Sequence, residues 1–525
     1  MGVPADIRAV QRPKNTIVDD NGKDSALRYA VRVRGKIKCV PGGNPQPSNG
    51  KVIGHIIEHK YVPLTTTTKP KQVLPDMLQY GASALVKSVT RDIQEDLLKV
   101  YDPKTVYSIL AIATLRVIKP SIAANRYSTH YNRSFVCIDY PGVGMSSNTI
   151  SNLLQYLGKD GNSRKEFYKL RIDRTSAEHH TAIDGTLKQD NSTVNDLSAF
   201  SRKARVRGCQ EVSIIYAYDI ELMEPMCCEV FPGNCIDASA YPSFIRDNNI
   251  TKGILVDDKG FPPSKIMKEL AERPDLHFLT PIKRNDSRIK DNDMLSFEGI
   301  IEGISDHVLY KKKKIKGGRF LYAFKNMSTA SREEYSYLDK QQKNNSFSSE
   351  KYGHKKDEFG VIVLESDQDL DPKVAYKCYD DRWLIELVFN KYKNDECLDK
   401  TNCQTDFSVI GSEFINFIST VATCRIVKKA EEKNLLDDMS YSELMDDLCS
   451  AWRMVGAPEP VTEDEYWVHT LKGVFIELEA LGLSKPLPKE EPKKRGRKPK
   501  PKDPNKQEVK RPRGRPRKNQ TVSND

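Results

Sequence analysis

At 525 residues the chain is several times a typical domain, which excludes a peptide or a single-module binder and calls for about two to four folded units. Lys and Arg total 83 against 72 Asp and Glu, a net charge of +11, and the surplus is local: residues 485–525 hold 16 basic and 5 acidic side chains, leaving 67 of each before them. With eight prolines, no aromatic residue and only Leu487, Val509 and Val522 as aliphatics, that tail has too little apolar area to offset its ordering entropy. It is expected to be disordered when free, and a mobile polycation suits a polyanion. The longest apolar stretches, Val106 to Leu115 and Phe414 to Val427, fall short of or interrupt the about 20 residues that span a bilayer. The N-terminus, Met1-Gly2-Val3-Pro4-Ala5-Asp6, has no apolar leader core, and Asp6 stands where a myristoylation signal wants Ser or Thr, so a cytoplasmic protein without a membrane segment is expected. The 11 cysteines form no Cys-x-x-Cys pair and are read as reduced thiols.

In chain order, β-like pieces at Tyr29 to Val33 and Lys51 to Ile57 flank the turn-rich Pro41-Gly42-Gly43-Asn44-Pro45. From Ala82 to Ile118 apolar residues recur at helical spacing and predict two or three helices. Another helix is predicted near Ser147 to Gly158, capped by Ser146, Ser147 or Asn148, and it is read as a core helix ahead of a DNA-reading one. Strand-like runs follow at His180 to Ile183, Val212 to Tyr218, Met226 to Phe231, Gly253 to Val256 and His277 to Ile282, with helices at Ser239 to Asp247 and Pro263 to Glu272. This order predicts a mixed sheet flanked by helices. Residues 285–370 turn polar, with strands at Arg319 to Phe324 and Phe359 to Leu364 and a loop at Lys340 to Lys356, and are read as an insertion. A long helix is predicted from Pro372 through Lys393, then helices at Ser412 to Lys433, Ser440 to Trp452 and Glu463 to Leu481.

The long helix carries the most informative pattern. At about 100° per residue, Tyr379, Arg382, Glu386 and Lys393 share one stripe, offering a carboxylate able to ligate a metal beside a phenol and two cations able to hold phosphate oxygens. The spacing alone equally describes an i, i+4 Arg–Glu pair on a solvated helix. The run nevertheless matches, residue for residue, the Tyr-x2-Arg-x3-Glu-x6-Lys pattern of bacterial insertion-sequence transposases, including Trp383 after the Arg and Ile385 before the Glu. The chain thus resembles the "insertion sequence four" superfamily of Asp-Asp-Glu transposases, whose fold is RNase H-like.

The resemblance implies two upstream aspartates. Asp184 in His-Thr-Ala-Ile-Asp184-Gly185-Thr186 looks like the family's first motif, an Asp-x-Thr after an apolar strand. Asp258 in Asp257-Asp258-Lys259-Gly260-Phe261 is similar to its Asp-x-Gly-aromatic second motif, and is preferred to Asp257 because it has Gly two residues on. The resemblance further implies that Asp184, Asp258 and Glu386 are catalytic and bind two Mg²⁺ (or Mn²⁺) ions, Asp184 bridging them. Tyr379, Arg382 and Lys393 would grip the terminal phosphate, and Trp383 would stack on a displaced base, although a helical Trp is more often core. The implied partner is double-stranded DNA, both element inverted repeats and target, with a dimer in the synaptic complex.

In the tail, Arg511-Pro-Arg513-Gly514-Arg515-Pro516-Arg517-Lys518 resembles an AT-hook, and Arg495, Gly496 and Arg497 belong to a degenerate second copy. Arginines flanking a Gly fit the narrow, strongly negative minor groove of A·T tracts. This favours DNA over a membrane, since no apolar anchor accompanies the charge. By contrast, Pro141-Gly142-Val143-Gly144-Met145-Ser146-Ser147 lacks the ending of a phosphate loop and is read as a turn and helix cap. His179 and His180 could ligate a metal, but without a second spaced His they are read as a strand start.

The expected architecture is α/β: an RNase H-like core of mixed sheet flanked by helices, with a β-rich insertion, helical N- and C-terminal regions and a disordered basic tail. The expected boundaries are a small β element at 1–63 and a helical end-DNA-binding region at 64–175. Core parts at 176–284 and 371–410 flank the insertion at 285–370, and a helical region at 411–484 precedes the tail at 485–525. The expected function is transposition by a nucleoid-associated cytoplasmic enzyme, cutting element ends and joining them to target DNA. The alternatives are a related RNase H-like nuclease and a repurposed, non-catalytic DNA-binding protein.

Overall fold

A computed structural model of the chain describes residues 2–484 except 23–26, 39–45, 65–75, 121, 124, 191, 193, 202–207, 236, 257–265, 305, 391–398, 402, 457–466 and 469. The basic tail, with Arg495, Gly496, Arg497, Arg513, Gly514, Arg515 and Pro516, lies outside the described residues.

The chain opens with a short helix, α1 (Ala5–Ala9), and an antiparallel sheet of β1 (Thr16–Asp20), β2 (Tyr29–Lys38), β3 (Gln46–Ile57) and β4 (Lys60–Pro63). Ile7, Val31 and Ile56 form its small core. After β5 (Met77–Gln79) come α2 (Gly81–Val89), α3 (Arg91–Val100), α4 (Pro103–Ile118), α5 (Tyr127–Tyr131), α6 (Val136–Asp139), α7 (Ser147–Lys159) and α8 (Gly161–Ile172). Pro103 sits in the first turn of α4, where its missing N–H costs nothing, and Asp102 caps that helix by accepting from the Lys104 and Thr105 amides. Ser146 caps α7 by accepting from the Thr149 amide at 3.2 Å, so the Gly-rich loop before it is a turn and a cap.

The core sheet begins with three antiparallel strands, β6 (His180–Asp190), β7 (Gln210–Asp219) and β8 (Glu224–Pro232). After α9 (Asp237–Asp247), β9 (Lys252–Val256) pairs parallel to β6; after α10 (Met267–Glu272), β10 (Asp275–Pro281) pairs parallel to β9. The order β8-β7-β6-β9-β10, an antiparallel meander continued by parallel strands, is the mixed sheet of an RNase H-like fold. Residues between β10 and the last core helices add α11 (Ser287–Asp291), β11 (Gly299–Ile300), β12 (Val308–Lys314), β13 (Phe320–Asn326), α12 (Met327–Lys343), α13 (Ser349–Lys356) and β14 (Val361–Ser366). Here β14 pairs with both β13 and β10, so these strands extend the core sheet. Lys340 to Lys356, expected as a loop, lies mostly in α12 and α13. Side-chain caps account for both starts, Asn326 accepting from Thr329 and Ser348 from Lys351.

The chain then forms α14 (Pro372–Asp381), α15 (Leu384–Asn390), β15 (Lys400–Thr401), α16 (Asp406–Glu431), α17 (Tyr441–Ser450), β16 (Trp452–Met454), β17 (Trp467–Val468) and α18 (Lys472–Ala480). Trp452 and Trp467, expected in helices, instead sit in strands, because β16 pairs with β5 on one side and β17 on the other. Helix α16 is long and apolar enough to cross a membrane by composition, but 89% of its apolar window is buried within the protein. It packs on α4, α7 and β8. At the α7 crossing the backbones nearly touch: a Cβ on Gly158 would sit 1.8 Å from the Phe407 carbonyl oxygen, and one on Gly411 1.9 Å from that of Leu154. This makes α7 a core helix. Buried Lys188 of β6 pairs with buried Glu413 of α16 at 2.7 Å, tying helix to sheet. Among the described residues the cysteines are free thiols.

Candidate active site

Strand β6 runs seven residues beyond the expected end at Ile183, so Asp184 sits within a strand and not after one. The reason is the partner: β7 matches β6 from Thr181 to Asp190, while among the described residues the pairing with β9 runs to Val256 opposite Ala182. Asp184 lies two residues beyond the last described pairing of β6 with β9, and its half-buried carboxylate accepts from the Gly185 amide at 2.8 Å. Asp258 is as many residues beyond Val256 as Asp184 is beyond Ala182, but it lies outside the described residues.

Directly opposite Asp184 on β7 is Tyr216, and antiparallel cross-strand neighbours project from the same face of a sheet. Tyr216 meets the ring of Phe389 edge-on, with centroids 5.7 Å apart. Phe389 and fully buried Ile385 seat α15, which contacts β6. Glu386 lies three residues before Phe389, hence on a neighbouring side of the helix, and is exposed. Asp184 and Glu386 are thereby carried on the face of the sheet that α15 covers. Both offer oxygen donors only, the set that suits a hard cation such as Mg²⁺ or Mn²⁺.

The helix expected to run from Pro372 to Lys393 is broken. After the Arg382 amide bonds the Cys378 carbonyl, the next bonds tighten to three-residue spacing: Trp383 to Asp380, Ile385 to Arg382 and Glu386 to Trp383. Tighter turns advance about 120° per residue, so the 100° stripe does not carry through from Tyr379 to Glu386. Tyr379 and Arg382 do meet, the guanidinium carbon lying 5.7 Å from the phenol ring centre. Trp383 is 47% exposed instead of joining the core. Lys393 lies outside the described residues.

A second constellation was legible only as the isolated pair His179-His180. Because β6 and β7 are antiparallel, the start of β6 meets the end of β7, bringing Asp219 and Glu221 to the two histidines. His179 Nδ1 lies 2.8 Å from Asp219 Oδ2 and His180 Nδ1 2.7 Å from Glu221 Oε1, while the His180 amide donates to Glu221 Oε2. Cys378 of α14 completes a group in which one ligand atom each from His180, Glu221 and Cys378 lie within 4.8 Å of one another; His179, Asp219 and Glu221 form an overlapping group. Burial pushes Glu221 up, but its bonds to His180 outweigh this and hold it below the usual carboxylate range. Burial, with Glu221 and Asp381 nearby, pushes the Cys378 thiol up to about 12. Burial also raises Asp380 and Asp381 beside it.

No curated protein matches the sequence. Among solved structures the chain is similar to a piggyBac transposase in a cryo-EM synaptic complex with hairpin DNA, at 11% identity and a TM-score of 0.38, covering 70% of this chain and 77% of that one. Residues 171–410 match the family model described as the transposase DDE domain. From the end of α8 to the start of α16, therefore, the chain carries a DDE-transposase-like domain.

Proposed function

We propose that the protein is a DNA transposase that cuts phosphodiesters at the ends of a mobile element and joins the freed 3′-OH to target DNA. The observation that carries this reading is the docking of α15 through Tyr216 and Phe389, which sets Glu386 over the face that bears Asp184, within the segment matching a transposase DDE domain. Asp184, Asp258 and Glu386 would hold two Mg²⁺ or Mn²⁺ ions. Bound there, the metals supply charge stabilisation for the attacking and leaving oxygens of an in-line displacement. Arg382, oriented by the ring of Tyr379, offers a planar fork of donors to a terminal phosphate, with Lys393 as a further cation. Exposed Trp383 presents an aromatic face on which an unstacked base can lie. The tail, through Arg495 to Arg497 and Arg513 to Pro516, adds minor-groove contacts at A·T tracts, and a dimer pairs the two element ends in the nucleoid.

The test is excision from a plasmid carrying the gene with its native flanks, comparing wild type with Glu386→Gln. Excision that vanishes in the variant supports the reading. Flanks that contain both element ends, are bound by both proteins and are cut by neither leave a non-catalytic DNA-binding protein as the better account.

A further inference from the structure

The group at the start of β6 has a donor set unlike that of the carboxylate site. His180 is 4% exposed, its Nδ1 engages Glu221, and its Nε2 is buried without a hydrogen-bond partner. An imidazole whose Nδ1–H is given to a carboxylate presents a lone pair on Nε2, the arrangement that orients and strengthens histidine ligands of metals. A buried nitrogen without a partner is costly, which calls for something to bind it. The buried free thiol of Cys378 stands beside it, and Glu221 keeps the group open to solvent on one side, with a third of its side chain exposed.

We infer that His180 and Cys378 are ligands of a single borderline-soft transition-metal ion, Zn²⁺ by its donor chemistry, with Glu221 holding the His180 ring through Nδ1, at a site distinct from the carboxylate site at Asp184. A nitrogen and a sulfur donor suit Zn²⁺ and disfavour Mg²⁺, which takes oxygen. Tetrahedral Zn²⁺ asks its nitrogen and sulfur ligand atoms to stand about 3.3–3.8 Å apart, and a ring nitrogen of His180 and the Cys378 sulfur lie within 4.8 Å of each other here. The overlapping group of His179, Asp219 and Glu221 is the weaker candidate, because it has no sulfur donor.

The three residues of the site come from β6, the turn after β7, and α14. His180 and Asp184 are four residues apart on one strand face, about 13 Å, while Cys378 and Glu386 are eight residues apart on the successive helices α14 and α15. The ion would therefore pin α14 to the strand that carries Asp184, one helix before Glu386. Its effect on DNA cleavage rests on the transposase reading, but its binding does not.

The test uses the full-length protein. Metal analysis of protein purified without chelator is expected to find about one zinc per chain, and cobalt substitution to give the near-ultraviolet thiolate-to-cobalt charge-transfer band. Cys378→Ser, close to isosteric, should abolish the band and the bound zinc with an unchanged circular dichroism spectrum. Asp184→Asn should retain both. Protein that binds neither metal, a cobalt spectrum indifferent to Cys378→Ser, or zinc lost in Asp184→Asn would each overturn the inference, and none of these readouts depends on DNA activity. If His180→Ala does not fold, the Cys378→Ser result decides.

Discussion

The ring of Tyr216, cross-strand neighbour of Asp184, receives the ring of Phe389 edge-on at 5.7 Å. One aromatic contact thus couples the strand that bears one carboxylate to the helix that bears another. The same tyrosine stacks on Phe417 of α16 at 6.2 Å, so its position is fixed from two sides.

Phe389→Leu keeps much of the apolar volume but loses the edge-to-face term, worth about 0.5–1.5 kcal/mol. The expected result is a fall in melting temperature of a few degrees with a much larger fall in DNA cleavage, because Glu386 shifts with its helix. Thermal unfolding and a cleavage assay on the same preparation check this. Equal, small effects on both would show that Phe389 packs without positioning.

Removing one partner of a buried ion pair strands the other in low dielectric. Lys188→Met should therefore destabilise by about 3–5 kcal/mol by removing the cation bonded to buried Glu413, and adding Glu413→Leu should restore part of that loss. Denaturant melts of the two single variants and the double variant form the cycle that checks it.

Glu477 is pushed up to about 7 by burial and by Asp447 beside it. A carboxyl whose folded pKa exceeds its unfolded value near 4.5 favours folding only while protonated, so this contribution fades as pH rises from about 4.5 through 7. Glu477→Gln, which cannot ionise, should match wild type near pH 5 and exceed it in melting temperature at pH 8. A variant less stable than wild type at pH 8 would count against the assignment.

Asp92 behaves in the opposite sense. Burial raises it, but Arg425, Arg171 and Arg174 outweigh burial and bring it down to about 2. Its contribution is full above the unfolded value near 3.8 and is lost as pH falls toward 2. Asp92→Asn should cost on the order of 1 kcal/mol at neutral pH, discounted because a third of the side chain meets solvent, and should flatten the acid limb of the stability curve. Acid titrations followed by circular dichroism compare the two proteins.

Much of this was legible in the residues. The apolar runs of β6 to β10 and the intervening helices announced the mixed sheet, since buried strands and amphipathic helices leave different periods. What stayed hidden needed partners. The full length of β6 depends on β7, because Gly185-Thr186-Leu187-Lys188 has no strong strand period of its own and Lys188 is buried against Glu413 of a helix far along the chain. The break at Arg382-Trp383 involves neither Gly nor Pro, so nothing local marks it. The group around His180 joins residues far apart in sequence and becomes visible only once antiparallel pairing is known.

Helix α16 has a consequence for anyone dividing the protein. The stretch that matches a transposase DDE domain stops at residue 410, inside the first turns of that helix. A fragment cut there would lose the ridge that α4 and α7 lean on, the carboxylate that neutralises Lys188 and the phenylalanine stacked on Tyr216. Recognisable motif and foldable unit therefore do not coincide: the portion with the chemistry borrows its interior from chain on both sides, and shortened versions are expected to aggregate until residues 77–172 and 406–431 are both restored.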